Sequence, residues 1–201
     1  MMRQLLALIC AGIFISGCTG DKGKAEKVKK EIINASGKMQ SYYRYKYNKY
    51  GKIRKSHFTS DDQLISYFTY DYDKDGKRLK KTEYDPRNAL LSYVLYEYNS
   101  NRVRTKKEEY DKNNMMRSYF TYEYDDKGKK KRRIKYSPSG KAIVNDVYEY
   151  NDKSRLLKRT TIGNSGEVIS FLTHEYKGRK RIKKSRFDRN GKLIDYTDYH
   201  H

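Results

Sequence analysis

One short string recurs at a fixed spacing, and that spacing confines the chain to a repeat architecture. Ser66-Tyr67-Phe68-Thr69-Tyr70-Asp71-Tyr72-Asp73 returns as Ser118-Tyr119-Phe120-Thr121-Tyr122-Glu123-Tyr124-Asp125, and Ser92-Tyr93-Val94-Leu95-Tyr96-Glu97-Tyr98-Asn99 lies midway, a period of 26 residues. Units run 41–65, 66–91, 92–117, 118–143, 144–169 and 170–194; the first and last are one residue short. Half units, about 24–40 and 195–201, flank them, so residues 24–201 form one repeat domain. A period of this length implies supersecondary units that cannot bury a face alone and are stabilised by their neighbours.

Each unit has two similar halves. The turn string Tyr72-Asp73-Lys74-Asp75-Gly76-Lys77 is echoed by Phe187-Asp188-Arg189-Asn190-Gly191-Lys192. Asp-Gly and Asn-Gly favour the positive φ of tight primed hairpin turns. Between turns the residues alternate, with Phe120, Tyr122 and Tyr124 on one face and Tyr119, Thr121 and Glu123 on the other; aromatic and β-branched residues at period two mean strand. Pro86 and Pro138 fall inside the turns, where no ladder hydrogen bond is lost. The expected fold is all-β, an antiparallel meander of about 14 strands. A two-residue turn at Asp75-Gly76 would set Tyr72 opposite Leu79, Asp71 opposite Lys80 and Tyr67 opposite Tyr84, all favourable cross-strand pairs. Two shapes stay open: a single-layer twisted sheet, and a sheet curled so that the Phe68/Tyr70/Tyr72 face lines a groove or barrel.

The pattern Tyr-x-Tyr-Asp-x-x-Gly-Lys, followed half a unit later by Asp-x-x-Gly-Lys-Leu-Ile, resembles the YD (RHS) repeats of bacterial surface and toxin proteins. Gly-Lys hairpin arrays of MORN-type proteins are similar. The resemblance spans roughly residues 24–201 and implies an elongated or curled sheet of hairpins and a binding role, without an activity. RHS arrays usually belong to very large shells around a toxin, and this chain is far shorter. MORN-type arrays use Gly and Trp or Phe positions, and this chain has no Trp.

The N-terminus reads as an export signal. Arg3 precedes the apolar run Leu5 to Ile15, which is too short to span a bilayer. Ile15-Ser16-Gly17-Cys18 resembles the bacterial lipobox. That resemblance implies a signal peptide at 1–17, lipidation of Cys18 and a short tether at 18–23. Multiple acyl chains hold a protein stably on a membrane. Thr19, where an inner-membrane retention signal carries Asp, points to the outer membrane or cell surface. Cys10 would be removed with the signal, so no disulfide is available.

Lys and Arg number 46 against 25 Asp and Glu, a net charge of +21. Such a surface attracts polyanions: anionic lipid, acidic glycan or envelope polymer. Nucleic acid is a poor target for an exported, tethered protein. Second strands carry two adjacent basic rows. Lys29, Arg54, Lys80, Lys106, Arg132, Lys158 and Lys183 share a face with the acids Asp71, Glu97, Glu123, Glu149 and Glu175. Lys30, Lys55, Lys81, Lys107, Arg133, Arg159 and Lys184 share the other face with Tyr70, Tyr96, Tyr122 and Tyr148, and there the cations are expected to be unpaired. Unpaired cations beside aromatic rings suit a polyanion; Lys on strands also keeps a sheet soluble. His57, His174, His200 and His201 are scattered and form no metal motif, no catalytic motif is found, and no cofactor is expected. Two function classes follow: a non-catalytic envelope lipoprotein that binds a polyanionic ligand or envelope or host component, and a structural or accessory lipoprotein serving as spacer, docking scaffold or inhibitor for an unknown protein partner.

Overall fold

A computed structural model describes residues 26–33 and 38–199. The signal peptide 1–17, Cys18, the tether 18–23, His200 and His201 lie outside the described residues, as do the side chains of Lys29 and Lys30. The elements are β1 (Glu26–Ile33), β2 (Met39–Asn48), β3 (Gly51–Thr59), β4 (Leu64–Tyr72), β5 (Arg78–Tyr84), β6 (Leu90–Tyr98), β7 (Arg104–Asp111), β8 (Met116–Tyr124), β9 (Lys130–Tyr136), β10 (Ala142–Tyr150), β11 (Leu156–Gly163), β12 (Val168–Lys177), β13 (Lys180–Asp188) and β14 (Leu193–Asp198). Strand order follows chain order through the 14-stranded sheet, the expected all-β meander. By contacts the chain divides into two compact units: Met1–Leu95 with Tyr110–Met115, and Tyr96–Glu109 with Met116–His201. Within each, strands pair antiparallel with their sequential neighbours in a single layer.

The register in the 66–91 repeat matches two of the three expected pairs. Tyr67 lies opposite Tyr84 and Asp71 opposite Lys80, but Tyr72 lies opposite Arg78 and not Leu79. The loop explains the difference. Asp73 N–H donates to the Lys77 carbonyl at 2.8 Å, and Gly76 N–H donates to the Asp73 carbonyl at 3.1 Å. This is a three-residue loop closed by a left-handed residue, with Gly76 at φ 79°, and not a two-residue primed turn. Asp73 selects it, because its carboxylate accepts from the N–H groups of Asp75 and Lys77 at 2.9 and 2.7 Å. Asp85, Asp111, Asp125, Asn151 and Asp188 cap their own loops in the same way. The pairing then skips Leu79, a bulge that brings Asp71 back opposite Lys80.

That bulge recurs after loop upon loop. Leu79, Leu91, Ile143, Ile169 and Ile194 are skipped in the pairing, and all are solvent-exposed. The two short repeats keep the bulge, skipping Ile53 and Ile182, and differ only in having two-residue loops. Asn48 pairs with Gly51 around Lys49-Tyr50, and Lys177 pairs with Lys180 around Gly178-Arg179. The missing residue of the first and last units is thus the third loop residue.

A single layer buries little, and rings supply most of the packing. Among the described residues only Tyr42, Tyr67, Tyr70 and Phe120 are buried apolar residues. Cross-strand rings stack on one face: Tyr67 on Tyr84 at 5.0 Å, Tyr93 on Tyr110 at 4.7 Å, Tyr119 on Tyr136 at 4.8 Å and Phe171 on Phe187 at 4.9 Å. Each such pair adds about 0.5–1.5 kcal/mol beyond area burial. A second device acts on the opposite face. The hydroxyls of Tyr72, Tyr124, Tyr150 and Tyr176 donate to the carbonyls of Lys52, Arg104, Lys130 and Leu156 at 2.6, 2.9, 3.0 and 3.0 Å. The β3–β4 ladder reaches Arg54 and Thr69 and goes no further toward this loop. Tyr72 therefore satisfies a carbonyl that the bulged strand end takes out of the ladder.

Candidate functional site: a cation and tyrosine face

Cross-strand pairing places the expected ligand row as the alternation requires. Lys55 lies opposite Tyr45, Lys81 opposite Tyr70, Arg133 opposite Tyr122, Arg159 opposite Tyr148 and Lys184 opposite His174. The ammonium of Lys55 sits 3.7 Å from the Tyr43 ring centre, that of Lys81 3.9 Å from Phe68, and that of Lys107 4.7 Å from Phe120. The other basic row meets its acids: Asp71, Glu123, Glu149 and Glu175 face Lys80, Arg132, Lys158 and Lys183.

The expectation that the first row is unpaired does not hold. Arg133 Nε donates to Asp146 at 2.7 Å, and its terminal nitrogen makes an ion pair with the same carboxylate. Asp146 is fully buried and accepts from Thr161 at 2.6 Å through its other oxygen. Lys107 pairs with Glu109, which also accepts from Ser118 at 2.8 Å. Pairing within one hairpin misses both acids. Asp146 sits opposite Arg133 on the next hairpin's strand, and Glu109 follows Lys107 by two residues on one strand face. Burial alone would raise the Glu109 carboxyl, but hydrogen bonds from Lys107 and Ser118 and the Lys107 charge outweigh it and hold the group low.

A third basic row, absent from the sequence reading, lies nearer the loops on the same face: Lys52, Arg78, Arg104 and Lys130. Its signal was present, since Lys52, Arg78, Arg104 and Lys130 recur with the 26-residue period. Within the first compact unit, Lys52 lies 4.4 Å from the Tyr45 ring centre and 5.8 Å from Tyr70, and Arg78 lies 4.6 Å from Tyr70. Within the second, Arg104 lies 4.6 Å from Tyr96 and 5.9 Å from Tyr122, and Lys130 lies 5.0 Å from Tyr122 and 5.3 Å from Tyr148. Tyrosines of successive hairpins thus alternate with cations, and Leu156 interrupts the row. Burial, followed by the charges of Arg133 and Arg104, lowers the Lys130 pKa, and Asp146 works against that. Burial, followed by Arg78, lowers that of Lys52. Burial raises the hydroxyls of Tyr124 and Tyr148.

Charge in the second compact unit is segregated along the strands. One set of loops and the residues after them carry Arg102 and Arg104, Lys127 to Lys131 around Gly128, Lys153 and Arg155, and Lys177 to Arg181 around Gly178, against the acids Asp125, Asp126 and Asp152. The loops at the opposite strand ends carry Lys141, Glu167, Asp188, Arg189 and Lys192, followed by the apolar pairs Ala142-Ile143, Val168-Ile169 and Leu193-Ile194. His57 lies in β3 and His174 in β12, and burial lowers the pKa of both. Among the described residues no group of three or more His, Cys, Asp or Glu could hold a metal ion.

A family model described as a protein of unknown function (DUF2963) matches residues 112–162. No curated protein matches. Among solved structures, the chain is similar to a porin-like protein from Bacteroides uniformis, at 16% identity and a TM-score of 0.40, over 83% of this chain and 55% of that one. It is similar to TcdB2-TccC3-TEV at 10% identity and a TM-score of 0.23, over 80% of this chain and 14% of that one. A protein with unknown function from Bacteroides fragilis aligns at 12% identity and a TM-score of 0.13, over 88% and 91%. The chain spans about half the length of the porin-like protein and a small fraction of the toxin chain.

Proposed function

We propose that this protein is an exported, lipid-anchored, YD-type hairpin array that binds a linear polyanion along its basic loop margin and the adjoining cation and tyrosine face. The observation that carries the reading is the segregation of charge in the second compact unit, where Lys177, Arg179, Lys180 and Arg181 crowd one end of the β12–β13 hairpin. Like charges held together repel, and a bound polyanion relieves that repulsion while releasing its counterions. Exported and anchored through Cys18, the sheet would meet anionic envelope or host polymers before nucleic acid. In the same unit the ladder cations Arg159 and Lys184 add to the long-range field. The Arg133–Asp146 and Lys107–Glu109 pairs favour a second reading for their own positions, that of bracing in a spacer or docking scaffold.

Heparin chromatography tests the reading. Lys177→Gln, Arg179→Gln and Lys180→Gln together should lower the eluting salt well below that of Lys141→Gln, Arg189→Gln and Lys192→Gln, which remove the same charge from the other margin. Equal elution, or wild-type protein that flows through at low salt, refutes it.

A further inference from the structure

Arg104 and Lys130 converge on one ring of the face. Both lie within 6 Å of the Tyr122 ring centre, from opposite hairpins. Neither has a carboxylate within ion-pair distance among the described residues, whereas Arg133 and Lys107 beside them do. The Lys130 ammonium rests against the Tyr122 and Tyr148 rings with no hydrogen-bond acceptor among the described residues. Arg104 Nε is buried with no hydrogen-bond partner, and Tyr98 and Tyr122 hold the rest of the guanidinium. The backbone carbonyls of both residues are taken by Tyr124 and Tyr150, which fixes where the two side chains start.

We propose that Arg104 and Lys130, with Tyr122 between them, form a subsite for one sulfate or phosphate ester group of a linear polymer. The inference rests on the polyanion reading above and names a subsite within it. A tetrahedral oxyanion has acceptors for the three ammonium donors of Lys130 and for a guanidinium edge at once. It also supplies the charge that two half-buried cations lack, where screening by water is weak. The exposed parts of the tyrosine rings offer a surface for the carrier's backbone or sugar rings. The cation and ring arrangement recurs at Lys52 and Arg78 in the other compact unit. Stations two strands apart recur about every 10 Å within a sheet, which suits a polymer with regularly spaced esters better than single lipids.

The full chain carrying Cys18→Ser, so that no acyl chain contributes, is titrated with a heparin hexasaccharide, with polyphosphate and with phosphatidylglycerol vesicles. The double variant Arg104→Gln/Lys130→Gln is compared with Lys158→Gln/Lys183→Gln, which removes equal charge from the opposite face. The subsite requires at least a tenfold loss for the first pair on a polymer arm, under threefold for the second, and a log–log salt slope shallower by about two. Arg104→Lys/Lys130→Arg should keep most of the affinity and guards against a simple folding defect. Equal losses in the two doubles overturn the subsite and leave the polyanion reading standing. A selective loss confined to vesicles assigns the site to a membrane and overturns the polymer. Wild-type protein that binds none of the probes overturns the polyanion reading itself.

Discussion

Replacing Tyr124, Tyr150 and Tyr176 together by Phe removes three hydroxyl-to-carbonyl bonds and leaves every ring in place. The bonds are 2.9, 3.0 and 3.0 Å long and close the strand ends where the bulged ladder stops. One neutral hydrogen bond of this kind contributes about 1 kcal/mol net. The three lie on alternate strands, roughly 10 Å apart, so their losses should add to about 3 kcal/mol. For a chain of this length that lowers the melting midpoint by about 6–12 °C. The assay is thermal unfolding followed by far-UV circular dichroism. The control is Tyr196→Phe, a tyrosine that is 56% exposed and donates no hydroxyl bond. A triple variant melting within about 2 °C of wild type would refute the view that these hydroxyls take over from the ladder.

Three further outcomes follow from single sites. Asp146→Val places at this position the residue that Val94 supplies two periods earlier; urea unfolding should find it within about 1 kcal/mol of wild type, because the Arg133 side chain is 33% exposed and stays solvated, while Arg133→Ala, which strands the buried carboxylate, should cost about 3–5 kcal/mol. The Glu109 carboxyl is held below its usual range, so its stabilisation is present above the unfolded pKa and is lost as pH falls through the folded one; Glu109→Gln should flatten the acid side of the urea midpoint measured against pH. Cys18→Ala should abolish lipid labelling and release the protein from membranes, and normal acylation of that variant would remove the lipobox reading.

The strand pattern and most of the register were legible because a period-two alternation copied every 26 residues leaves few alternatives. The loops were not. Asp75-Gly76 supports a two-residue primed turn on local preference, and the competing signal sat two residues earlier, in the Asp73 side chain that accepts from the loop's own N–H groups. The shorter first and last units held the same information, since only they have room for two-residue loops. The pairing of Arg133 was hidden because Asp146 belongs to the following hairpin, at a position where Phe68, Val94, Phe120 and Leu172 stand in the other repeats. The Arg78, Arg104 and Lys130 row was readable from the period alone. It stayed hidden because a two-residue turn sets Leu79, and not Arg78, opposite Tyr72.

Charge segregation in the second compact unit has a kinetic consequence. With cations gathered at one set of strand ends and apolar pairs at the other, that unit carries an electric dipole along its strands. In the field of an anionic surface such a dipole feels a torque before it feels a contact. The basic loops would be turned toward the surface during approach, and the exposed Ile143, Ile169 and Ile194 would be turned away. Encounters would then arrive already oriented, and capture would slow as added salt shortens the reach of the field.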